Sequence, residues 1–167
     1  EEHEECDLYL PHYGLGDRHA IAFGSFLSLC GLNLIDIDLR GNGIGIGGLT
    51  SLLNALQMHP QVRRLDLSHN KFANILQTGS DNQAVSNAEK ALIALFPAEQ
   101  RGGLHKIRRL ELSDCNLQSG SLEILFSRFA AGAVPKLRHL DISRNCMRDS
   151  KGVALPAFIS DNSHPLE

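Results

Sequence analysis

The side chains of this chain that could bind a metal or act as nucleophiles are its four cysteines and eight histidines. The cysteines are Cys6, Cys30, Cys115 and Cys146, and no two of them form a CxxC pair or match a zinc pattern. The histidines show neither metal-ligand spacing nor a recognised catalytic arrangement. We therefore expect no metal, no cofactor and no catalytic residue. A disulfide framework stays open but unsupported, and we expect reduced, mostly buried thiols.

Carboxylates recur in a second pattern, each between two aliphatic residues. Asp38, Asp66, Glu111 and Asp141 are the middle residues of "IDL", "LDL", "LEL" and "LDI". This alternation predicts strands that bury the aliphatic side chains on one face and expose the acids on the other. A metal site made of stacked acids is the weaker alternative, because no loop with ligand-type spacing accompanies them.

These strands belong to a longer pattern, L-x-x-L-x-L-x-x-N-x-L, which returns along the chain. Its copies span 5–15, 34–44, 62–72, 107–117 and 137–147. The first copy is degenerate and has Tyr13 at the Asn position. Helical i, i+3, i+4, i+7 stripes follow three of the copies, as in Leu49, Leu52, Leu53 and Leu56. A strand and a helix therefore alternate along the chain.

This pattern resembles leucine-rich repeats, and a strand plus a full helix per unit resembles their ribonuclease-inhibitor subtype. The resemblance covers about residues 5–160. It implies an α/β fold, namely a right-handed solenoid of about five repeats that forms a horseshoe segment. Parallel strands would line its concave face and helices its convex face. We expect one domain over 1–167, with repeats beginning near 5, 34, 62, 107 and 137.

The ninth position of the pattern is Asn42, Asn70 and Asn145 in three copies and Cys115 in the fourth. An inward-pointing Asn can donate to and accept from the backbone of the neighbouring unit, which would link one unit to the next. Cysteine at this position is typical of the resembled subtype. We therefore expect Cys115 to be structural rather than reactive.

The outward positions of the strands form columns on the expected concave face. One column is acidic, and a basic column flanks it from the third unit onward, so the face suits a partner with basic and some acidic groups. A solvated strand face with no binding role is the alternative. Charge reversal in an exposed acid column should hardly lower stability. The candidate partner-binding residues are Tyr9, Asp36, Asp38, Arg40, Arg64, Asp66, His69, Arg109, Glu111, Asp114, His139, Asp141 and Arg144.

The interval between copies is 28 to 30 residues except between the third and fourth, where it is 45 (107 − 62). The extra residues predict insertions near 73–90 and near 97–106, each at a different rim. Such loops either contribute to binding or are neutral.

The length, charge and hydropathy of the chain limit the classes of function it can have. The chain has 167 residues, a net charge of −3 and no apolar run long enough for a membrane span. The mild charge argues against nucleic-acid binding. The chain begins without Met, which favours an excised or processed piece. We predict a cytoplasmic, non-enzymatic scaffold or regulator that binds a protein, not a nucleic acid, membrane or small molecule. The alternative is a small-GTPase activator or an enzyme inhibitor.

Overall fold

A computed structural model describes residues 4–72, 95–96, 103–117 and 119–145. Five strands form one open, entirely parallel sheet in chain order. They are β1 (Glu5–Tyr9), β2 (Asn33–Asp38), β3 (Arg64–Asp66), β4 (Arg109–Glu111) and β5 (His139–Asp141). The described helices are α1 (Gly16–Leu29), α2 (Ile46–Leu56) and α3 (Ser119–Ala130). The predicted α/β class is confirmed, whereas the solenoid and its five repeats stay a prediction.

Each strand falls on one of the five predicted copies, with β2 beginning one residue before its copy, and equivalent residues of neighbouring copies pair. Ile37 pairs with Leu65, Leu65 with Leu110, and Leu110 with Leu140. Since parallel strands lie about 4.8 Å apart, equal positions of the pattern stack into rows across the sheet. The backbone ladder continues past the strands, as in Leu39 N–H to Asp66 O and Gly41 N–H to Ser68 O, both 2.9 Å.

The core lies between the leucine-bearing face of the sheet and the helices, and it is mainly aliphatic. Leu52, Leu53, Leu65 and Leu67 are at most 1% exposed. The predicted stripes on α2 and α3 are buried, which explains why these segments form amphipathic helices. In the segment after the third copy, where the remaining helical stripe is predicted, Leu95 and Phe96 are also buried.

Asp17, in the first turn of α1, stabilises the start of the next helix. Its Oδ1 accepts hydrogen bonds from the N–H groups of Gly45 (2.7 Å) and Gly48 (2.9 Å) at the N-terminus of α2. These N–H groups have no partner within their own helix, and the carboxylate also suits the positive end of the helix dipole. The contact therefore fixes the start of α1 against the start of α2.

The predicted insertion near 73–90 lies outside the described residues, as does Cys146. Of the insertion near 97–106, residues 103–106 are described and form a turn. Leu104 in this turn is fully buried, and its N–H donates to Leu95 O at 2.9 Å. This end of the segment therefore belongs to the core rather than to a free rim. Within the described ranges, no helix has the length and apolarity needed to cross a membrane.

Candidate functional site

The face of the sheet opposite the core carries the polar side chains that alternate with the buried leucines. We call it the polar face, and it has two rows of residues paired across neighbouring strands. The acid row is Tyr9, Asp38, Asp66, Glu111 and Asp141. The basic row is Arg64, Arg109 and His139, and Asp36 holds the same position on β2. The structure therefore brings together most of the candidate residues derived from the sequence.

The centre of the acid row is buried, although the sequence led us to expect exposed acids. Asp38 is 4% exposed and Asp66 is 1% exposed. One carboxylate oxygen of each accepts the N–H two residues further on, from Arg40 at 3.2 Å and from Ser68 at 3.0 Å. These aspartates therefore help form the turn that leaves each strand, and the expectation of a freely exposed acid column is wrong for them.

Asp141 makes the same backbone contact, because its Oδ1 accepts the Ser143 N–H at 2.9 Å. Hydrogen bonds from Ser143 favour the charged carboxylate and lower the pKa of Asp141 despite some desolvation. The electrostatic interaction with His139, two residues earlier in the chain, also lowers the pKa of Asp141. The last described strand thus keeps an ionised acid at the end of the row.

Arginines of the chain itself neutralise much of the acid row. Arg64 Nη2 lies 3.8 Å from Asp66 Oδ2 and 3.8 Å from Glu111 Oε1, so it bridges two strands. Arg109 pairs with Glu111 along the same strand. This alternation of charge offsets the repulsion between carboxylates stacked at the strand spacing. The polar face around β3 and β4 is thus a preformed network of mixed charge.

Arg40 lies between the first two strands and contacts both. Its Nε is 3.5 Å from Asp38 Oδ2, and its Nη2 donates to the Tyr9 hydroxyl at 3.3 Å. The Asp38 carboxylate is the main cause that raises the pKa of Arg40. Tyr9 itself is 64% exposed, so this contact orients an aromatic ring towards solvent.

A further row lies in the turn after the strands, where the eighth residue of each copy has a positive φ. His69 (57°), Asp114 (53°) and Arg144 (57°) are exposed there, and His69 Nδ1 lies 2.9 Å from Asp114 Oδ2. His12 (61°) and Gly41 (66°) occupy the same position in the first two copies. Sequence reasoning missed these two residues, although the glycine was a signal of a left-handed turn.

The ninth position forms the predicted link between units. Asn70 Oδ1 accepts the N–H groups of Asn42 (3.1 Å) and Ile44 (3.0 Å) in the preceding copy. Its Nδ2 donates to Leu39 O (3.1 Å) and Leu67 O (2.8 Å). Asn42 and Asn145 make equivalent contacts to their preceding copies. The amide is needed in this position because it both accepts and donates within a buried backbone.

Cys115 retains only the donor half of this arrangement. Its Sγ donates to Leu67 O at 3.1 Å, while the Phe72 N–H turns to the backbone oxygen of Cys115 at 3.2 Å. Burial raises the pKa of the Cys115 thiol to about 12. A thiol that stays protonated at neutral pH is a poor nucleophile, which agrees with a structural role.

Among the described side chains, no group of three or more His, Cys, Asp or Glu could hold a metal ion. This includes the acid row.

A leucine-rich repeat family model matches residues 135–155 of the chain. The match supports a leucine-rich repeat protein. It covers β5 and its flanks, and the parallel sheet is compatible with that kind of fold. The ribonuclease-inhibitor subtype stays a prediction. No curated protein matches the chain at a significant level.

Proposed function

We propose that this leucine-rich repeat chain is a non-enzymatic scaffold or regulator that binds a protein partner on its polar face. Leucine-rich repeat domains generally mediate protein–protein interaction, and they are typically not enzymes. In this proposal the chain is one domain, its repeats curve into a solenoid, and the polar face is the concave surface.

The observation that carries the proposal is a rigid polar face with exposed side chains at defined places. The backbone ladder, the asparagine links and the Arg64 bridge fix its geometry before any partner arrives. Tyr9 is 64% exposed and the Arg109 side chain is 49% exposed. Tyr and Arg are the residue types that contribute most often to binding energy at protein interfaces, and a preorganised surface loses little entropy on binding.

The remaining features of the proposal concern location and partner class. Cys6, Cys30 and Cys115 are free thiols, which favours a reducing compartment such as the cytoplasm. The net charge of −3 favours a protein over a nucleic acid as the partner. Membranes and small-molecule substrates are not part of the proposal.

The test compares capture of a partner by the wild-type chain, by two variants of equal charge change and by one that removes an aromatic ring. Arg109→Glu reverses an exposed charge of the polar face, and Arg128→Glu makes the same reversal on α3. We expect Arg109→Glu and Tyr9→Ala to lose most of the captured partner, while Arg128→Glu retains it. Loss with Arg128→Glu and full retention with both polar-face variants would place binding on the helical side and contradict the proposal. For the alternative role, purified small GTPases would be assayed for faster GTP hydrolysis in the presence of the chain.

A further inference from the structure

Three exposed arginines form a row at the edge of the sheet where the strands begin. Arg63, Arg108 and Arg138 stand directly before β3, β4 and β5, and all three are exposed. Their main chains are bonded to one another, because Arg63 O accepts the Arg108 N–H at 2.7 Å and Arg108 O accepts the Arg138 N–H at 2.9 Å. We call these three residues the edge row. The backbone holds them at about the 4.8 Å spacing of neighbouring strands.

The edge row carries positive charge that the described part of the chain leaves largely unbalanced. On the polar face, Arg64 and Arg109 both pair with Glu111. The guanidinium groups of Arg108 and Arg138, in contrast, make no ion pair and no hydrogen bond with any described residue. Like charges on adjacent strands repel each other, and an anionic group bound between them removes this repulsion. The edge row therefore suits an anionic ligand.

The first member of the edge row already binds an anion, and that anion is a carboxylate of the chain itself. Glu5 Oε1 accepts a hydrogen bond from Arg63 Nη2 at 2.9 Å, although β1 and β3 are separated by β2. The intervening strand has the uncharged Ile35 beside Arg63, and Ile35 O accepts the Arg63 N–H at 2.8 Å. Both side chains of the ion pair stay partly exposed, Arg63 at 43% and Glu5 at 57%. The pair indicates that an exposed carboxylate fits this edge of the sheet.

We propose that the edge row binds an acidic segment of the protein partner, whose Asp or Glu carboxylates pair with Arg108 and Arg138. A guanidinium group suits a carboxylate because its N–H groups can bind both oxygens at once. Carboxylates on one face of an extended segment lie about 6.7 Å apart, a spacing that long arginine side chains on adjacent strands can match. Lys136, which is exposed two residues before Arg138, adds to the attraction.

A protein segment is favoured over a nucleic acid, because the acid row of the adjoining polar face and the net charge of −3 would repel an extended phosphate backbone. This inference rests on the proposed function and names the charge of the segment that the partner presents.

The probe is a hexaglutamate peptide, titrated at low salt into the ¹⁵N-labelled chain, with hexa-arginine as the charge control. We expect the largest amide shifts at residues 106–109 and 136–139. Arg108→Gln should bind the peptide about two- to fivefold more weakly than Arg18→Gln, which removes the same charge at an exposed position of α1. Binding should fade as salt rises, since exposed charges are screened.

Glu5 provides a second test, in which the expected change has the opposite sign. Glu5→Gln removes the carboxylate that occupies Arg63, so the third arginine becomes available to the peptide. It should bind hexaglutamate about twofold more tightly than Glu123→Gln, which removes the same charge on the exposed side of α3. A general effect of net charge would change the affinity of both variants equally, and that result would count against the edge row.

Three further results would overturn the inference. The peptide could shift mainly residues outside the edge row, Arg108→Gln and Arg18→Gln could bind it equally, or an oligothymidylate of equal charge could bind more tightly than hexaglutamate. Capture of the partner separates this failure from that of the proposed function. If Arg109→Glu loses the partner and Arg108→Gln/Arg138→Gln retains it, the polar face binds without the edge row. If only the edge-row variant loses the partner, the edge row stands and the polar-face proposal fails.

Discussion

Asn70 Oδ1 lies 3.1 Å from the backbone nitrogen of Asn42, the residue that holds the same position in the preceding copy. Because Asn42 in turn accepts the Tyr13 N–H at 3.0 Å, the first three units are joined by one chain of side-chain to backbone bonds. Neighbouring units are thus held by polar contacts as well as by the shared core.

Asn70→Ala should lower the free energy of unfolding by about 1–3 kcal/mol, since it leaves buried N–H and C=O groups of two units unmatched. Urea denaturation monitored by circular dichroism would measure the loss. Cys115→Ala is the matched comparison at the same position of the next unit, where only weak thiol bonds disappear, and its loss should be smaller. Equal losses in the two variants would show that the Asn bonds contribute no more than the thiol.

Cys115 should make stability fall at alkaline pH. Its pKa is raised to about 12 in the folded chain, whereas an unfolded thiol ionises near about 8.5. The stability that the protonated Cys115 thiol contributes is fully present below the pKa of the unfolded thiol and is lost as pH rises towards 12. The free energy of unfolding should fall over this range by at most about 1.4 kcal/mol per pH unit. Unfolding free energies at about pH 8 and about pH 10.5 would be compared between the wild type and Cys115→Ala. A wild type that loses no more stability than Cys115→Ala over this interval would contradict a buried, protonated thiol.

Asp66→Lys should destabilise the fold strongly, contrary to the expectation from the sequence. Asp66 is 1% exposed, accepts the Ser68 N–H and lies 3.8 Å from Arg64 Nη2. A lysine there would lose both contacts and bury a cation beside Arg64, so we expect a loss of about 3 kcal/mol or more in denaturant unfolding. Glu123→Lys, an equal charge change at an exposed position of α3, should stay within about 0.5 kcal/mol. If Asp66→Lys is as mild as Glu123→Lys, the acid row is open to solvent after all.

The site could be predicted only in part, and particular residues show why. The pattern identified which side chains share a face, since period-two alternation separates Asp66 from Leu65 and Leu67. It could not show that Asp66 bonds the Ser68 N–H or that Arg64 reaches Glu111 on the next strand, because these contacts depend on turn geometry and on side-chain length. A β-bulge in β1, which places Asp7 opposite Asp36, has no sequence signature in this chain.

The sequence by itself determined the five strands, the helices after the second and fourth copies, the aliphatic core and the inward Asn or Cys position. These features follow from local periodicity, which needs no knowledge of the neighbours. Only the tertiary structure decided which polar residues are available. Asp38 and Asp66 are buried by their own turns and arginines, while Tyr9, Asp7 and Arg109 stay open. Exposure depends on the strand alongside, and residues 28 to 45 positions away in the sequence supply that strand.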